Sequence, residues 1–161
     1  MGIRLAQVGP GSDRAPAGFV QLYRDLYRPM VKVAYLLTGN GAIAEELVQD
    51  AFIRVHLRWA DVRQPTAYLH RTVVNACRSH HRRWFLERRH PPEPEGVTHQ
   101  PELDETWALL QHLTPRRRTA LVLRFYEDLP VADIAEIMQC SEGTVKSLIH
   151  RGLAQLRGVM T

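Results

Sequence analysis

Apolar residues recur through most of this chain at the three- and four-residue spacing that places them on one face of an α-helix. Runs of strictly alternating apolar and polar residues, which indicate β-strands, are absent from the sequence. The pattern therefore predicts an all-α fold. Residues 1–15 differ from the rest because Gly, Pro and small polar residues predominate there. This composition predicts a flexible N-terminal tail.

Three helices are predicted in the first half of the chain. The first begins near Phe19, and we interpret Pro29 as a kink or a break in it, because proline removes a backbone hydrogen bond from a helix interior. The second is predicted over residues 42–58. A loop over residues 59–66 then precedes the third helix, which is predicted from residue 67 to residue 83 or beyond.

A proline-rich segment divides the chain. The stretch from His90 to Pro101 contains four prolines, a density that a packed element does not tolerate. We therefore predict a linker over residues 89–101 that joins an N-terminal domain at 16–88 to a C-terminal domain at 102–158. A chain of 161 residues, of which 45% are hydrophobic, can fill two small helical cores.

Residues 129–157 have the pattern of a helix-turn-helix, in which two short helices cross steeply around a small residue. Ala135 supplies the small contact, and Val145 follows it at the ten-residue spacing that the motif requires. Ser141 is positioned to cap the second helix, and Thr114 to cap an earlier helix that opens with a proline. These features predict a DNA-reading unit near the C-terminus.

The second helix of this motif carries a polar row on the side away from its apolar stripe. Its members donate hydrogen bonds to phosphates or to base edges in the major groove: Thr144, Lys146, Ser147, His150 and Arg151. Two other interpretations stay open on this pattern alone. One is an ordinary helical hairpin with a basic surface, and the other is a stand-alone helix-turn-helix regulator.

Two helices of the N-terminal domain have unusual polar faces. On the second helix, Ile53 lies among carboxylate and amide side chains such as Gln49 and Asp50, which suits a protein partner as well as it suits a solvated surface. On the third helix, four residues share one face at helical spacing: Arg71, Asn75, Arg78 and Arg82. Because Asn is a mediocre helix former, a hydrogen-bonding role would explain Asn75 on this face, and so would a simple surface position.

Composition narrows the function further. The formal net charge of +4 permits a nucleic-acid partner without proving one. Cys77 and Cys140 lie in apolar-periodic segments and are predicted to be buried free thiols. An enzyme that uses Cys77, His80 and His81 is disfavoured, because no nucleophile–base pair and no metal-ligand spacing is present. We expect no metal and no cofactor. The absence of an apolar N-terminal run predicts a cytoplasmic protein.

These motifs together resemble a known family. Residues 113–118 (LTPRRR) and 141–147 (SEGTVKS) resemble region four of bacterial sigma factors. Residues 44–52 (AEELVQDAF) and 65–75 (PTAYLHRTVVN) resemble region two. Their order, and the short linker between them, is similar to the two-domain extracytoplasmic-function (ECF) group, and most of all to an actinobacterial subgroup.

The resemblance implies that different parts of the chain bind different partners. It implies that one face docks on the clamp helices of the largest subunit of the RNA polymerase core: Gln49, Asp50, Ile53 and Arg54. It implies that Trp59 and Asn75 contact unpaired bases of the −10 promoter element, while neighbouring arginines hold phosphates: Arg71, Arg78 and Arg82. The polar row of the helix-turn-helix would read the −35 duplex. Many relatives are held inactive by an anti-sigma factor, which makes such a protein a candidate partner.

The chain departs from the family pattern at two positions in the second helix of the motif. Leu148 stands where relatives often have Arg or Gln, which implies that one DNA contact is missing. Gly152 stands where Ala is usual, and glycine weakens a helix slightly.

Overall fold

The computed structural model describes residues 15–87 and 101–161, so the predicted tail and linker lie outside the described residues except for Ala15 and Pro101. Within these two ranges the secondary structure is helical and no strand occurs, which confirms the all-α fold. Three helices form the N-terminal bundle: α1 (Ala17–Thr38), α2 (Gly41–Leu57) and α3 (Pro65–Leu86). Four helices and a π-helical turn (Val122–Tyr126) form the C-terminal unit: α4 (Pro101–Leu110), α5 (Pro115–Leu121), α6 (Val131–Met138) and α7 (Glu142–Met160).

Pro29 does not end α1, so of the two outcomes predicted there, a kink or a break, the break does not occur. The helix continues from Ala17 to Thr38 with Pro29 inside it. The residues that follow the proline, beginning with Met30 and Val33, are almost completely buried against α2 and α3. Burial of a large aliphatic side chain stabilises a protein by about 1.5–3 kcal/mol, so a few such residues offset the roughly 3 kcal/mol that an interior proline costs.

The predicted loop over residues 59–66 is too long at its C-terminal end. Helix α3 begins at Pro65, the first helical position, with Gln64 as its N-cap residue. A proline at this position lacks only an N–H that would have no partner inside the helix, and its fixed φ angle suits the helix. The turn between α2 and α3 is therefore residues 58–64, which brings Arg58 and Arg63 close to the start of α3.

Helix α5 begins as predicted at Thr114 and Pro115, but the Thr114 side chain makes no capping hydrogen bond. The carbonyl oxygen of Thr114 instead accepts a bond from the backbone N–H of Arg118 at 2.9 Å. The helix then widens into the π-helical turn, where the N–H of Glu127 donates to the carbonyl of Val122 at 3.1 Å. This turn carries the chain into α6.

The two halves of the molecule meet around Arg118, whose side chain is only 6% exposed. Its guanidinium donates to the carbonyls of Leu110 and Leu113 in the C-terminal unit, and to the carbonyl of Leu37 near the end of α1. The same guanidinium lies 4.8 Å from the centre of the Trp107 ring. Beside it, the Tyr35 hydroxyl donates to the Asp104 carboxylate. Burial and the negative charge of Asp104 raise the pKa of Tyr35 to about 12.

Gly39 makes this junction possible. It ends α1 in the left-handed conformation, with φ at 72°, and its N–H donates to the Tyr35 carbonyl at 2.7 Å. The Trp107 ring lies directly over it, so that a Cβ atom built on Gly39 would be 2.2 Å from Trp107 Cζ2. Both the backbone angle and the space therefore require glycine.

We expect Gly39→Ala to lower the free energy of unfolding, because the left-handed conformation alone costs a residue with a Cβ about 1–2 kcal/mol and the Trp107 ring must also move. Urea unfolding followed by far-UV circular dichroism measures the change. Gly158→Ala is the matched control, since nothing lies within 4 Å of its Cβ position; alanine in that helical position leaves the stability equal or higher. A Gly39→Ala protein as stable as the parent would contradict this account of the junction.

Candidate nucleic-acid interface

The helix-turn-helix forms as the sequence predicts. Helices α6 and α7 are joined by a turn in which Gln139 adopts the left-handed conformation, with φ at 55°. The N–H of Cys140 donates to the Ala135 carbonyl at 3.0 Å, which closes the end of α6. Ala135 and Val145 are both buried where the helices cross. The Ser141 Oγ accepts a hydrogen bond from the Thr144 N–H at 3.1 Å and so caps α7.

Some side chains of the polar row on α7 are exposed, and others are half-buried against the rest of the protein. Lys146, His150 and Arg151 are exposed, so their donors are free to meet a ligand. Thr144 and Ser147 are only half-buried positions. The Thr144 hydroxyl also lies 2.9 Å from the Ser141 hydroxyl, which ties it to the helix cap. The exposed part of the predicted −35 surface is therefore its basic part.

The opposite side of α7 is seated on α5. Gly152 is buried there, and a Cβ atom on it would be 3.0 Å from Leu121 Cδ1. The close approach gives a packing reason for the glycine that the sequence showed only as a weak helix former. Farther along, Gln155 accepts a bond from Arg117 at 2.9 Å and donates to the His112 carbonyl at 2.7 Å. These contacts hold the exposed face of α7 in a fixed direction.

The predicted base-reading residues of the N-terminal bundle lie at different depths. Trp59 is half-buried against α1, with its ring centre 5.7 Å from that of Phe19 in an edge-to-face arrangement. Asn75 and Arg71 are half-buried on α3, while Arg78 and Arg82 on the same helix are exposed. The basic face of α3 therefore runs along the surface, and the tryptophan is fixed at its N-terminal side by α1.

A cleft of about 750 Å³ lies between the start of α3 and helix α6. The turn before α3 contributes two arginines to it that the sequence analysis missed, Arg58 and Arg63, and α3 contributes Arg71. Opposite them, α6 contributes Asp133 and Glu136. Only the three-dimensional contact of α3 with α6 reveals this pairing, since the two helices are far apart in the sequence. The start of the basic face thus lies across a cleft from an acidic helix.

The predicted protein-docking face of α2 is exposed as a whole. Its opposite side is buried in the bundle core, whereas the docking residues point outward: Gln49, Asp50, Ile53 and Arg54. Ile53 is 57% exposed and Leu57, one turn farther on, is 77% exposed. The two side chains lie one helical turn apart, so the exposed polar face of α2 has an apolar strip.

In the parts of the chain that the structure describes, the cysteines and histidines do not assemble into a metal site. Burial raises the pKa of the Cys77 thiol to about 12, so this thiol is inert. Cys140 is half-buried rather than buried, which corrects its prediction, and both thiols are free. Among residues 15–87 and 101–161, no group of three or more potential metal ligands occurs. None of the helices described there is long and apolar enough to span a membrane.

Two family models match the chain: sigma-70, region 4 over residues 103–156, and sigma-70 region 2 over residues 22–84. The RNA polymerase sigma-E factor of Streptomyces antibioticus is 32% identical over 152 residues, which cover 86% of this chain and 82% of that protein. The ECF RNA polymerase sigma factor SigW of Bacillus subtilis is 29% identical over 178 residues, 96% of this chain and 93% of that protein. The sigma factor RpoE of Bartonella quintana, solved in complex with the anti-sigma factor NepR, has a similar fold, with a TM-score of 0.74 at 22% identity over 89% of this chain and 96% of that one.

Proposed function

Because the chain belongs to the sigma-70 family, in its ECF group, we propose that its exposed surfaces divide promoter recognition and polymerase binding between them. The protein is an RNA polymerase sigma factor. It is a non-catalytic subunit that binds the polymerase core and directs promoter recognition and transcription initiation. The observation that carries the assignment of surfaces is their separation: a basic face on α7, a basic face on α3 and a half-apolar face on α2 are each exposed on a different helix. We place this activity in the cytoplasm, where polymerase and chromosome meet.

We assign the α7 face to the −35 duplex. Lys146, His150 and Arg151 project from one side of a capped, firmly seated helix, which is the geometry by which a recognition helix enters the major groove. Thr144 and Ser147, which are less exposed, flank them close to the helix N-terminus, where backbone N–H groups attract a phosphate. In this assignment an arginine specifies a base, and the neighbouring residues contact phosphates and so fix the position of the helix on the DNA.

We assign the α3 face to the −10 element. Arg78 and Arg82 are exposed and suit the phosphates of a single strand, and Arg71 extends the same row toward the helix start. Trp59 and Asn75 are the base-contacting pair, an aromatic ring held by α1 and an amide on α3. Stacking on an aromatic side chain contributes about 1–3 kcal/mol per base, which is enough to offset the unstacking of a flipped base.

We assign the exposed face of α2 to the polymerase core. Gln49, Asp50 and Arg54 surround Ile53 with hydrogen-bonding and charged groups. A central aliphatic side chain with a polar rim is the usual anatomy of a protein interface. An anti-sigma factor stays a candidate partner from the family resemblance, and its binding surface is not assigned.

We expect Asp50→Arg to abolish co-purification with core polymerase, because like-charge contacts in an interface cost several kcal/mol and reduce affinity at least about a hundredfold. Glu105→Arg, the replacement of an exposed carboxylate by arginine on α4, is the matched control and is expected to retain binding. Circular dichroism verifies that both proteins keep the fold. Retention of core by Asp50→Arg would contradict the docking assignment.

We expect Asn75→Ala to impair promoter opening more than closed-complex formation, because the amide is assigned to an unpaired base that exists only after the strands separate. Permanganate reactivity of unpaired thymines measures opening, and a gel shift of the holoenzyme on duplex promoter measures the closed complex. Gln21→Ala removes an exposed amide on α1 and is expected to change neither. An equal loss in both assays for Asn75→Ala argues against the −10 role.

We expect Arg151→Ala to weaken promoter binding by about 1–3 kcal/mol and to relax specificity at one −35 position, as the loss of an arginine–base contact does. Holoenzyme binding to a panel of single-base −35 variants measures this. Arg157→Ala, in the last turn of α7, tests the loss of an exposed charge on the same helix without the base contact. A loss that is uniform across the panel would identify Arg151 as a phosphate contact instead.

A further inference from the structure

A buried histidine of the N-terminal bundle contacts the C-terminal unit. His70 lies on α3 and is only 6% exposed. Its Nε2 is 3.0 Å from an Oε2 of Glu127, which follows the π-helical turn in the C-terminal unit. Its Nδ1 is 2.9 Å from the carbonyl oxygen of Thr66, one turn earlier on α3. The imidazole is therefore held on both sides.

Both of these partners accept hydrogen bonds. The Thr66 carbonyl has no proton to give, and a carboxylate is an acceptor only. A neutral imidazole has a single N–H and can satisfy only one of them. The observed pair of contacts therefore requires one extra proton, either on the imidazole or shared with the Glu127 carboxyl. The contact between α3 and the C-terminal unit therefore includes a bound proton.

We propose that His70 and Glu127 form a proton-dependent latch, which holds α6 and the preceding turn against the start of α3 when His70 is charged. The structural claim stands on these two contacts, and only its consequence for transcription rests on the proposed function. In the closed state the latch keeps Asp133 and Glu136 of α6 across the cleft from Arg71. Opening of the cleft then moves these carboxylates away from the half-buried Arg71, at the beginning of the surface assigned to the −10 strand.

The other charged side chains that line the cleft are arginines and carboxylates, and His70 is the one histidine among the described residues of its lining. Histidine is the side chain whose charge ordinarily changes between about pH 5 and pH 8. The turn before α3 and α3 itself bring Arg58, Arg63 and Arg71, while Asp61 of the same turn and Asp133 and Glu136 of α6 oppose them. The π-helical turn and the residue after Glu127 contribute an ion pair at 3.7 Å, between Arg124 and Asp128. In the same turn, burial and the charge of Glu127 raise the pKa of Tyr126, which keeps its hydroxyl neutral.

The sign of the pH dependence follows from the environment of the imidazole. Burial by itself lowers the pKa of His70, but the hydrogen bonds to Glu127 and Thr66 and the negative charge of Glu127 together raise it above the ordinary value of 6.5. The closed state thus binds the proton more tightly than the open state. Its extra stability is complete below pH 6.5, where both states are protonated. It is lost as the pH rises through the raised pKa of the closed state.

The latch acts on one side of the junction only. On the other side, the direct contacts of Arg118 and Trp107 join α4 and α5 to the end of α1. His81 of α3 faces the same guanidinium, and burial together with the positive charge of Arg118 lowers the pKa of this histidine. Guanidinium groups stay charged throughout the physiological range. We therefore expect the halves to stay joined at Arg118 while the α3–α6 cleft opens and closes.

Nuclear magnetic resonance of the full free chain tests the latch without polymerase or DNA. Imidazole titrations are compared for the parent, Glu127→Gln and the control His112→Gln, which changes an exposed histidine. We expect the pKa of His70 to lie above the ordinary value of 6.5 in the parent, to fall in Glu127→Gln and to be unchanged in His112→Gln. An unchanged His70 pKa in Glu127→Gln overturns the pairing.

A spin label reports the opening itself. A nitroxide on Ala132→Cys in a Cys140→Ser background broadens the amide signals of residues 63–71 when the cleft is closed. We expect stronger broadening at about pH 5 than at about pH 8 in the parent, and loss of this difference in both His70→Gln and Glu127→Gln. Broadening in the parent that does not change with pH overturns the latch. These two experiments measure neither polymerase binding nor promoter binding. A negative result would therefore reject the latch without bearing on the functions assigned to α2, α3 and α7, which have separate tests.

Discussion

The placement of the two halves of the molecule depends on the guanidinium of Arg118. The last carbonyl groups of a helix have no partners within the helix and carry the negative end of its dipole. Arg118 donates to such carbonyls at the ends of both α1 and α4. A buried charge of this kind is costly unless its donors are satisfied. The two helix ends must therefore stay together around it, and Gly39 is the residue that lets Trp107 close over the same point.

This arrangement makes the junction asymmetric. Around Arg118 the direct contacts are helix-end carbonyls and an aromatic ring, held by a guanidinium that stays charged between about pH 5 and pH 8. Burial and the charge of Arg118 also lower the pKa of His81, which faces this side of the junction from α3. Across the cleft between α3 and α6 the direct polar contact is between His70 and Glu127, whose groups titrate. A firm joint on one side and a titratable contact on the other are what a hinge requires.

Local chemistry made much of the fold predictable. Ser141, Ala135 and Val145 define the helix-turn-helix by properties of a short segment, namely a cap, a small residue and a spacing, and the structure confirms each of them. The effects of Pro29 and Pro65 on their helices were harder to predict, because proline ends some helices, begins others and is tolerated inside a few. What decides between these outcomes is the burial of neighbouring residues, which a local pattern does not contain.

The junction could not be predicted from the sequence, because its residues are distant in the chain and individually ordinary. Arg118 is the third of three consecutive arginines, and no pattern distinguishes the buried one from its two neighbours. His70 and Glu127 are 57 residues apart. Gly152 looked like a mere weakness in a helix until its contact with Leu121 was visible. Long-range packing decided each of these positions.

The start of α3 serves two purposes that compete. In the closed molecule it packs against α6, and in the assigned function it begins the surface that takes up single-stranded DNA. A protein whose binding-competent state is only partly populated has a weaker apparent affinity, in proportion to that population. Closure therefore lowers the affinity of the free protein for promoter DNA. The docking face of α2 points away from the interior of the bundle and stays exposed in the closed form. This face can therefore bind the polymerase core before the cleft opens. Any partner that prefers the open form adds its differential affinity to the opening equilibrium. Binding to polymerase can thus precede exposure of the −10 surface, which favours promoter recognition by the holoenzyme over recognition by the free chain.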